Sequence, residues 1–258
     1  MENSARTAPI LVTGGTGTLG SHVLPRLREA GRQVRVLSRS SRPAADGVEY
    51  VTGDLLKGEG VESAVAGVGT ILHLAGGPKG DDVATRNLVQ AAAKAGVRHL
   101  VYISVIGADR VPLGYFKAKH GAEQAVSGSG IPWTTLRAAQ FHDLVLTVSE
   151  KIAKMPIVPI PSVIRFQPVD SRDVADRLVE LTLGEPAGLV PDIAGPKVAP
   201  LADLIRGYLQ ARGKSKPFLS MPLPGKPGKA YRNGDNLTLE GAQIGKRSWE
   251  EFLAERVR

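Results

Sequence analysis

Four glycines in one short segment have the spacing that most directly suggests chemistry in this chain. The segment ILVTGGTGTLGSHVL contains Gly14, Gly15, Gly17 and Gly20 and matches both G-x-x-G-x-x-G and G-x-G-x-x-G. Glycines at this spacing permit a tight turn and let the backbone approach a pyrophosphate at a helix N-terminus. The segment predicts a dinucleotide-binding turn; a glycine-rich turn with a purely structural role is the alternative.

The end of the second predicted strand favours NADP(H) over NAD(H) as the dinucleotide. A carboxylate about 20 residues past the glycines would bond to the ribose of NAD, whereas an arginine suits the 2′-phosphate of NADP. Arg39 stands at this distance, next to Ser38, in the run VRVLSRSSR, which has no acidic residue. A guanidinium can hold a phosphate through paired hydrogen bonds. The alternative is that Arg39 is one more surface arginine of a basic chain.

A second candidate contact with the dinucleotide follows the third predicted strand, in the run TGDL. Asp54, followed by Leu55, stands where a carboxylate could accept a hydrogen bond from the adenine amine. An isolated acid in such a loop could equally cap a helix. The sequence leaves both roles open.

Tyr115 and Lys119 form a candidate acid-base pair. They stand in Y-x-x-x-K spacing in the run GYFKAKHGAE, at the start of a predicted helix. Four residues apart on a helix places them on one face, and an ammonium favours the phenolate form of a neighbouring tyrosine. Such a tyrosine can donate a proton to a carbonyl oxygen, which Ser104, at the end of the preceding strand, could orient. A solvent-exposed pair without a catalytic role is the alternative.

The elements that must position these residues follow from an alternation of apolar runs and amphipathic stretches up to about residue 137. This pattern is typical of a parallel sheet covered by helices. The predicted strands are Pro9 to Thr13, Val34 to Ser38, Val48 to Thr52, Thr70 to Leu74, His99 to Ser104 and Trp133 to Arg137. We therefore expect an α/β fold, a Rossmann-like doubly wound sheet with helices on both faces.

The second half of the chain is less regular and predicts a substrate-binding region. We divide the chain into a dinucleotide-binding core, residues 1–140, and a C-terminal portion, residues 141–258, which packs on the core and covers the substrate crevice. The proline-rich run from Lys154 to Asp170 predicts loop and edge strand. Helices are expected at Ser171 to Leu183, Pro200 to Arg212 and from Ser248 onwards, and a turn-rich, exposed segment over residues 217–237.

Gln140, Phe141 and His142 follow the sixth predicted strand and are the candidate substrate contacts. Their alternative role is to cap and link the neighbouring elements. The segment carries no further mechanistic motif, so the sequence does not identify the substrate.

Composition excludes several other classes of site. The chain of 258 residues has no cysteine, which excludes disulfides and thiolate chemistry, and its five histidines form no spaced metal-ligand motif. No apolar run is long enough for a signal peptide or a membrane span, so we expect a cytoplasmic protein without a membrane partner. The net charge of +8 is spread along the chain. We therefore expect a small-molecule substrate and an anionic cofactor rather than nucleic acid.

The chain resembles the short-chain dehydrogenase/reductase superfamily, in particular its atypical, NmrA-like NAD(P)-binding branch. The resemblance rests on TGGTGTLG, VYISVIGAD, YFKAKHGAEQAV, IPWTTLRAAQFHD and PVDSRDVA. It implies that Tyr115 is the acid-base and that Lys119 binds the nicotinamide ribose. It also implies cofactor contacts at Gly14, Thr16, Gly17, Thr18, Leu19, Gly20, Ser38, Arg39, Asp54 and Leu55, and in the loop formed by Ala75, Gly76 and Gly77.

The resemblance predicts an NADP(H)-dependent oxidoreductase that reduces a carbonyl, an enone or a quinone. The serine of active reductases usually stands a residue or two later than Ser104, where this chain has Val105, Ile106 and Gly107. The alternatives are a non-catalytic NADP(H)-binding redox sensor and an isomerase or cyclase of secondary metabolism on the same fold. No metal is expected, and the sequence does not decide between a monomer and a homodimer.

Overall fold

The computed structural model describes residues 8–44, 47–238 and 240–257. Its strands are β1 (Ile10–Thr13), β2 (Val34–Ser38), β3 (Val48–Thr52), β4 (Thr70–His73), β5 (His99–Val105), β6 (Trp133–Ala138), β7 (Val158–Pro161), β8 (Arg165–Phe166), β9 (Gly188–Leu189), β10 (Ile193–Ala194), β11 (Ala199–Pro200), β12 (Phe218–Met221) and β13 (Gln243–Ile244). Its helices are α1 (Thr18–Glu29), α2 (Val61–Val65), α3 (Asp81–Lys94), α4 (Gly114–Ser127), α5 (His142–Ile152), α6 (Ser171–Leu183), α7 (Leu201–Ala211), α8 (Gly225–Asn233) and α9 (Trp249–Arg256).

The described chain forms two compact units. The first comprises the described residues up to Ser104, together with Lys117–Leu136 and Ala175–Val190. The second comprises Val105–Phe116, Arg137–Val174 and the described residues from Pro191 onwards. The predicted division near residue 140 stays a prediction.

The sheet of the first unit has the strand order β9-β6-β5-β4-β1-β2-β3. Strand β1 lies between β2 and β4 and pairs in parallel with both, with Val12 opposite Val36 and Leu72. Leu11, Val12, Ile71 and Leu72 are fully buried, because helices cover both faces of a parallel sheet. The parallel arrangement brings the carboxyl ends of β1 to β4 to one edge of the sheet.

The second unit has a separate apolar core. Val158 and Ile160 of β7, Ile205 of α7, and Trp249 and Phe252 of α9 belong to one buried cluster. Strand β7 pairs in parallel with β12, and β8 pairs with β11 in antiparallel orientation. Ala138, the last residue of β6, pairs with Ile193 of β10.

The structure confirms the predicted doubly wound fold and all six strands of the core. Strands β2 and β3 and helix α6 have the predicted bounds. The proline-rich run after Lys154 contains the short strands β7 and β8, in agreement with the expected loop and edge strand.

The expectation of a turn-rich, exposed segment over residues 217–237 is only partly correct: β12 is largely exposed, but a strand and a helix replace most of the expected turns. This segment contains β12, which pairs with β7, and helix α8. Pro227 lies in the first turn of α8, where its missing N–H costs no intrahelical hydrogen bond. Ala230 and Tyr231 are buried and anchor the helix. The proline and glycine content favoured turns here, but long-range pairing stabilises β12 and burial stabilises α8.

Among the described residues, none of the helices combines the length and the apolar character that crossing a membrane requires.

Candidate functional site

The glycine turn joins β1 to α1, and packing alone requires glycine at two of its positions. Gly14 has a φ of +70°, and a β-carbon there would lie 2.6 Å from the amide nitrogen of Ala75. A β-carbon on Gly20 would lie 2.2 Å from the carbonyl oxygen of Gly15. A side chain fits at neither position, so the turn and the first turn of α1 are held in close contact with their neighbours.

Gly17 is less tightly enclosed, because a β-carbon there would meet a single neighbouring atom in a slightly tight contact. The nearest atom to a β-carbon on Gly17 would be the carbonyl oxygen of Gly14, at 3.3 Å. Gly17 is the N-cap residue of α1 and provides no capping side chain. The unbonded first-turn amides of such a helix attract an anion. A glycine with little packed around it, at a helix N-terminus without a side-chain cap, fits the close approach of a pyrophosphate.

Gly14 and Gly17 border a cavity of about 430 Å³ at the carboxyl ends of β1 to β4. Four strand-end loops form its wall, as expected for a ligand site of a doubly wound sheet. Of the residues that the sequence predicted to bind the dinucleotide, the wall contains Gly14, Thr16, Gly17, Ser38, Arg39, Asp54, Leu55, Ala75, Gly76 and Gly77. Thr18, Leu19 and Gly20 lie in the first turn of α1, where Leu19 and Gly20 are buried.

A larger cavity, of about 620 Å³, lies at the opposite, amino-terminal ends of β2 and β3. Its lining includes Gln33, Val34, Val48 and Glu49. It has neither the glycine turn nor a helix N-terminus, so the smaller cavity is the better candidate for a dinucleotide.

Arg39 is an exposed residue of the cavity wall. In the described part of the chain, its guanidinium makes no ion pair or hydrogen bond and is available to a ligand. The hydroxyl of Ser38 donates a hydrogen bond to the carbonyl oxygen of Ser40 over 2.9 Å, so it is used within the turn after β2. Arg39 is therefore the stronger anion-binding group of the two.

The carboxylate of Asp54 stabilises the loop after β3. Its Oδ1 atom accepts a hydrogen bond from the backbone amide of Leu56 over 2.8 Å and a longer one from Lys57. Asp54 therefore stabilises a turn and is not the helix cap that the sequence left open, because α2 begins at Val61 with Gly60 as its N-cap. Asp54 also lines the cavity. A contact with adenine stays a prediction.

A buried chain of hydrogen bonds connects the loop after β4 to α3. The amide of Ala75 donates to Oγ1 of Thr13, and Thr13 Oγ1 lies 2.6 Å from Nδ1 of His73. Nε2 of His73 lies 3.0 Å from Oγ1 of Thr85, which donates to the carbonyl oxygen of Asp81. These hydrogen bonds fix the backbone at Ala75 and at Asp81, on either side of Gly76.

Burial, and then the positive charge of Lys119, lowers the pKa of His73 to about 3. The imidazole is therefore neutral at physiological pH and carries a single N–H. Because Thr85 donates its hydroxyl proton to Asp81, Nε2 of His73 must donate to Thr85 and Nδ1 must accept from Thr13. His73 thus acts as a fixed structural connector rather than as a proton donor in catalysis.

Lys119 forms a buried ion pair in the first unit. Its Nζ atom lies 3.0 Å from Oδ2 of Asp81, and the two side chains are 7% and 5% exposed. Nζ also contacts the carbonyl oxygen of Ile103 at 3.5 Å and lies 5.3 Å from the centre of the Tyr102 ring. Ser104 is 4% exposed, and its hydroxyl has no hydrogen-bond partner among the described residues.

Tyr115 and Lys119, four residues apart on α4, belong to different compact units. The Tyr115 side chain is 39% exposed and lies edge-on to Phe116. Its role as an acid-base stays a prediction.

The three predicted substrate contacts lie in the second unit, around the start of α5. His142 is fully buried, and its ring centre lies 5.1 Å from that of Phe252 and 5.6 Å from that of Trp249. Phe141 and Gln140 are partly buried, and the carbonyl oxygen of Gln140 accepts a hydrogen bond from Val169. Within this unit His142 is a core residue with no exposed surface, which leaves Phe141 and Gln140 as the more accessible candidates.

The buried carboxylate of Asp170 is held by hydrogen bonds from Arg172. Burial would raise the pKa of Asp170, but hydrogen bonds from the Arg172 side chain outweigh it and hold the pKa of Asp170 well below its usual range. Both oxygens of this carboxylate accept hydrogen bonds from the Arg172 guanidinium. The carboxylate therefore stays ionised and fixes the start of α6.

Several residues of the cavity wall were not predicted from the sequence. They are Thr13, Leu37, Gly53, Leu56, Leu74, Pro78, Lys79, Gly80, Asp81 and Ala84. Asp81, as the first residue of α3, had the weak signal of an acid at a helix N-terminus. Over the described ranges, no cluster of three or more histidine, aspartate or glutamate side chains could hold a metal ion.

Comparison with protein families gives one match over most of the chain. The model of the NAD(P)H-binding family matches residues 14–182. This region includes the glycine turn, the four strand-end loops of the cavity, and Lys119.

Two curated relatives are bacterial reductases. The (4-alkanoyl-5-oxo-2,5-dihydrofuran-3-yl)methyl phosphate reductase of Streptomyces griseus is 34% identical over 180 residues, which cover 64% of this chain and 60% of that protein. The NAD(P)H azoreductase of Xenophilus azovorans is 28% identical over 223 residues, with 83% and 77% of the two chains covered. The matched part of this chain therefore spans less than two thirds of the Streptomyces relative.

Among solved structures, the NADPH-dependent quinone oxidoreductase of Escherichia coli in complex with NADPH has a similar fold. The TM-score is 0.81 at 20% sequence identity, with 95% of this chain and 99% of that chain covered. At this level of identity the similarity establishes the fold alone.

The buried, neutral His73 makes stability depend on pH. An unfolded histidine takes up a proton below a pKa of about 6.5, whereas folded His73 does not until about pH 3. We expect this residue to lower the free energy of unfolding by about 1.4 kcal/mol per pH unit as the pH falls from about 6 to 4. Urea denaturation of the wild type and of His73→Gln over this pH range measures the effect.

His73→Gln should be less stable at pH 7 but should lose stability less steeply as the pH falls. Thr85→Val is the control, because it removes one hydrogen bond of His73 and keeps the buried imidazole, so it should retain the steep slope. Equal slopes in the wild type and His73→Gln would contradict this account.

Proposed function

We propose that this chain, which belongs to the NAD(P)H-binding family, is an NADPH-dependent reductase. The family match confirms the resemblance to the atypical branch of the short-chain dehydrogenase/reductase superfamily. Its proposed substrates are small carbonyl, enone or quinone compounds. The observation that carries the proposal is the cavity of about 430 Å³ that the glycine turn borders. Lys119, the proposed ribose-binding residue, lies 3.0 Å from Asp81 of the cavity wall.

The relatives support the reaction class. The Streptomyces griseus enzyme is named for the reduction of a phosphate ester with oxo and alkanoyl groups, and the Xenophilus azovorans enzyme for the reduction of azo compounds. The Escherichia coli structure is that of a quinone oxidoreductase. All three are named for the reduction of a small organic molecule, and we extend this reaction class to the present chain.

The proposed preference for NADPH rests on the surroundings of Arg39. Its guanidinium is exposed on the cavity wall and makes no ion pair or hydrogen bond with the described chain, and β2 ends without a carboxylate that could bind the ribose of NAD. An arginine can hold a phosphate through two parallel hydrogen bonds. These features favour a cofactor with a 2′-phosphate.

When bound, a reduced nicotinamide supplies the hydride that reduces the substrate. In this proposal the backbone amides at the start of α1 hold the pyrophosphate, and Lys119 holds the nicotinamide ribose. Tyr115 donates a proton to the substrate oxygen as negative charge develops there. Ser104 is the second proposed hydrogen-bond donor to that oxygen, although only 4% of its surface is exposed.

Arg39→Asp tests the choice of cofactor. It removes a charge-assisted contact with the 2′-phosphate and places a negative charge beside it. We expect the ratio of NADPH to NADH affinity to fall by about tenfold or more, the equivalent of at least one charged hydrogen bond. Fluorescence titration with each nucleotide gives the ratio.

Arg42→Asp makes the same change of charge three residues later, outside the cavity wall, and should alter the ratio by less than about twofold. An unchanged ratio in Arg39→Asp would show that Arg39 is a surface arginine without a role in cofactor choice.

The reaction itself is tested by NADPH consumption against a panel of quinones, enones, azo compounds, aldehydes and ketones. We expect turnover of at least one class. Loss of general acid catalysis should lower kcat in Tyr115→Phe by roughly 100-fold or more, with little change in NADPH affinity. Tyr50→Phe, a tyrosine of β3 outside the cavity wall, is the matched control and should retain activity.

Turnover that survives in Tyr115→Phe would remove the tyrosine from the mechanism but leave the reductase proposal intact. Tight NADPH binding without turnover of any class would overturn the reductase proposal in favour of a redox sensor.

A further inference from the structure

Asp81 is a buried carboxylate that contacts two parts of the proposed site at once. Its Oδ1 atom accepts a hydrogen bond from the backbone amide of Gly77 over 2.7 Å. Its Oδ2 atom lies 3.0 Å from Nζ of Lys119. The two oxygens of one side chain therefore hold the loop after β4 and the ammonium of α4 in a fixed relation.

The surroundings of Lys119 leave its ammonium few other positions. The side chain is 7% exposed. Among the described residues, its ammonium has two weaker contacts besides Asp81: the carbonyl oxygen of Ile103 at 3.5 Å and the face of the Tyr102 ring. A buried ammonium is strongly disfavoured unless an opposite charge compensates for the lost hydration. Asp81 supplies that charge and so determines where the ammonium lies.

The loop after β4 passes directly over this ion pair. A β-carbon on Gly76 would lie 2.9 Å from Nζ of Lys119 and 3.2 Å from Oδ2 of Asp81. The backbone of Gly76 has a negative φ, so its conformation does not itself demand glycine. A side chain at residue 76 would therefore have to displace the ammonium from its place beside Asp81.

We propose that Asp81 is a positioning residue of the reductase site: it places the Lys119 ammonium and the loop from Ala75 to Gly77 for binding of the NADPH ribose. The inference rests on the proposed function, because it assumes that Lys119 binds the cofactor. Asp81 itself is 5% exposed, so it acts through Lys119 and the loop rather than as a main contact of the cofactor.

The direction of the change in NADPH affinity on replacing Asp81 distinguishes a positioning role from a purely electrostatic one. An acid beside an anionic cofactor repels it, so if Asp81 only neutralised Lys119, Asp81→Asn would tighten NADPH binding. If Asp81 positions Lys119, the same variant releases the ammonium from its place and weakens binding. We expect Asp81→Asn to raise the Kd of NADPH by about fivefold or more, the size of an ordinary coupling between groups in contact.

A double-mutant cycle tests whether Asp81 acts through Lys119. The Kd of NADPH is measured by fluorescence titration for the wild type, Asp81→Asn, Lys119→Met and the double variant, with thermal unfolding of each cofactor-free protein recorded beside it. The amide oxygen of Asn can still accept the hydrogen bond from Gly77, so Asp81→Asn removes the contact with Lys119 and keeps the contact with the loop. In the Lys119→Met background, Asp81→Asn should therefore change the Kd by less than about twofold. Asp82→Asn is the matched control: Asp82 precedes Arg86 by one helical turn and pairs with it, and it should leave the Kd unchanged.

Gly76→Ala provides a second route if Asp81→Asn fails to fold. Its β-carbon would displace the ammonium without altering the charge of either partner. Gly76→Ala should raise the Kd of NADPH when Lys119 is present. It should have a smaller effect in the Lys119→Met background.

Tighter or unchanged binding in Asp81→Asn would overturn the inference, as would the same loss of affinity with and without Lys119. In both cases the wild type still binds NADPH, and the proposed function stands. A wild type that fails to bind NADPH in the same titration would overturn the proposed function and this inference with it.

Discussion

The turn after β1 and the loop after β4 lie so close together that no side chain fits between them. A β-carbon on Gly14 would lie 2.6 Å from the amide nitrogen of Ala75, and the same amide donates a hydrogen bond to the hydroxyl of Thr13. Two neighbouring strand ends are thereby held in close contact. The walls of the cavity, the start of α1 and the path of the loop from Ala75 to Gly77 all depend on this contact.

A series of buried hydrogen bonds lies beneath that contact, and each hydroxyl or imidazole proton in it has an acceptor. The neutral imidazole of His73 connects Thr13 to Thr85, and Thr85 donates to the backbone of Asp81. The Asp81 side chain then holds Gly77 and Lys119. Because each donor in this series has one acceptor, a change at any member alters the position of the next. The geometry offered to a cofactor is therefore set by buried residues that have little exposed surface of their own.

The sequence was sufficient to predict the sheet and the glycine turn because both depend on local patterns. The Val-rich, Ile-rich and Leu-rich runs of β1 to β6 mark buried parallel strands, and the spacing of Gly14, Gly17 and Gly20 marks a turn between a strand and a helix. The position of Arg39 at the end of β2 followed from its distance from those glycines, and it lies on the cavity wall as that distance suggested.

Local sequence patterns could not predict contacts between residues that are distant in the sequence. Nothing in the spacing of Asp81 and Lys119 indicates that they form a buried ion pair, because the fold alone brings α3 and α4 together. The burial of His142 depends on Trp249 and Phe252, more than a hundred residues later in the chain. The proline-rich surroundings of β12 predicted turns, whereas the strand is stabilised by its pairing with the distant β7.

Hydrogen–deuterium exchange with and without NADPH tests the location of the cofactor most directly. The account predicts that NADPH slows amide exchange in the turn of residues 14–20 and in the loops of residues 53–56 and 75–81, while β7 and β12 of the second unit remain unchanged. Protection that is absent from these loops, or concentrated at the amino-terminal ends of β2 and β3, would contradict the assignment of the cavity as the dinucleotide site.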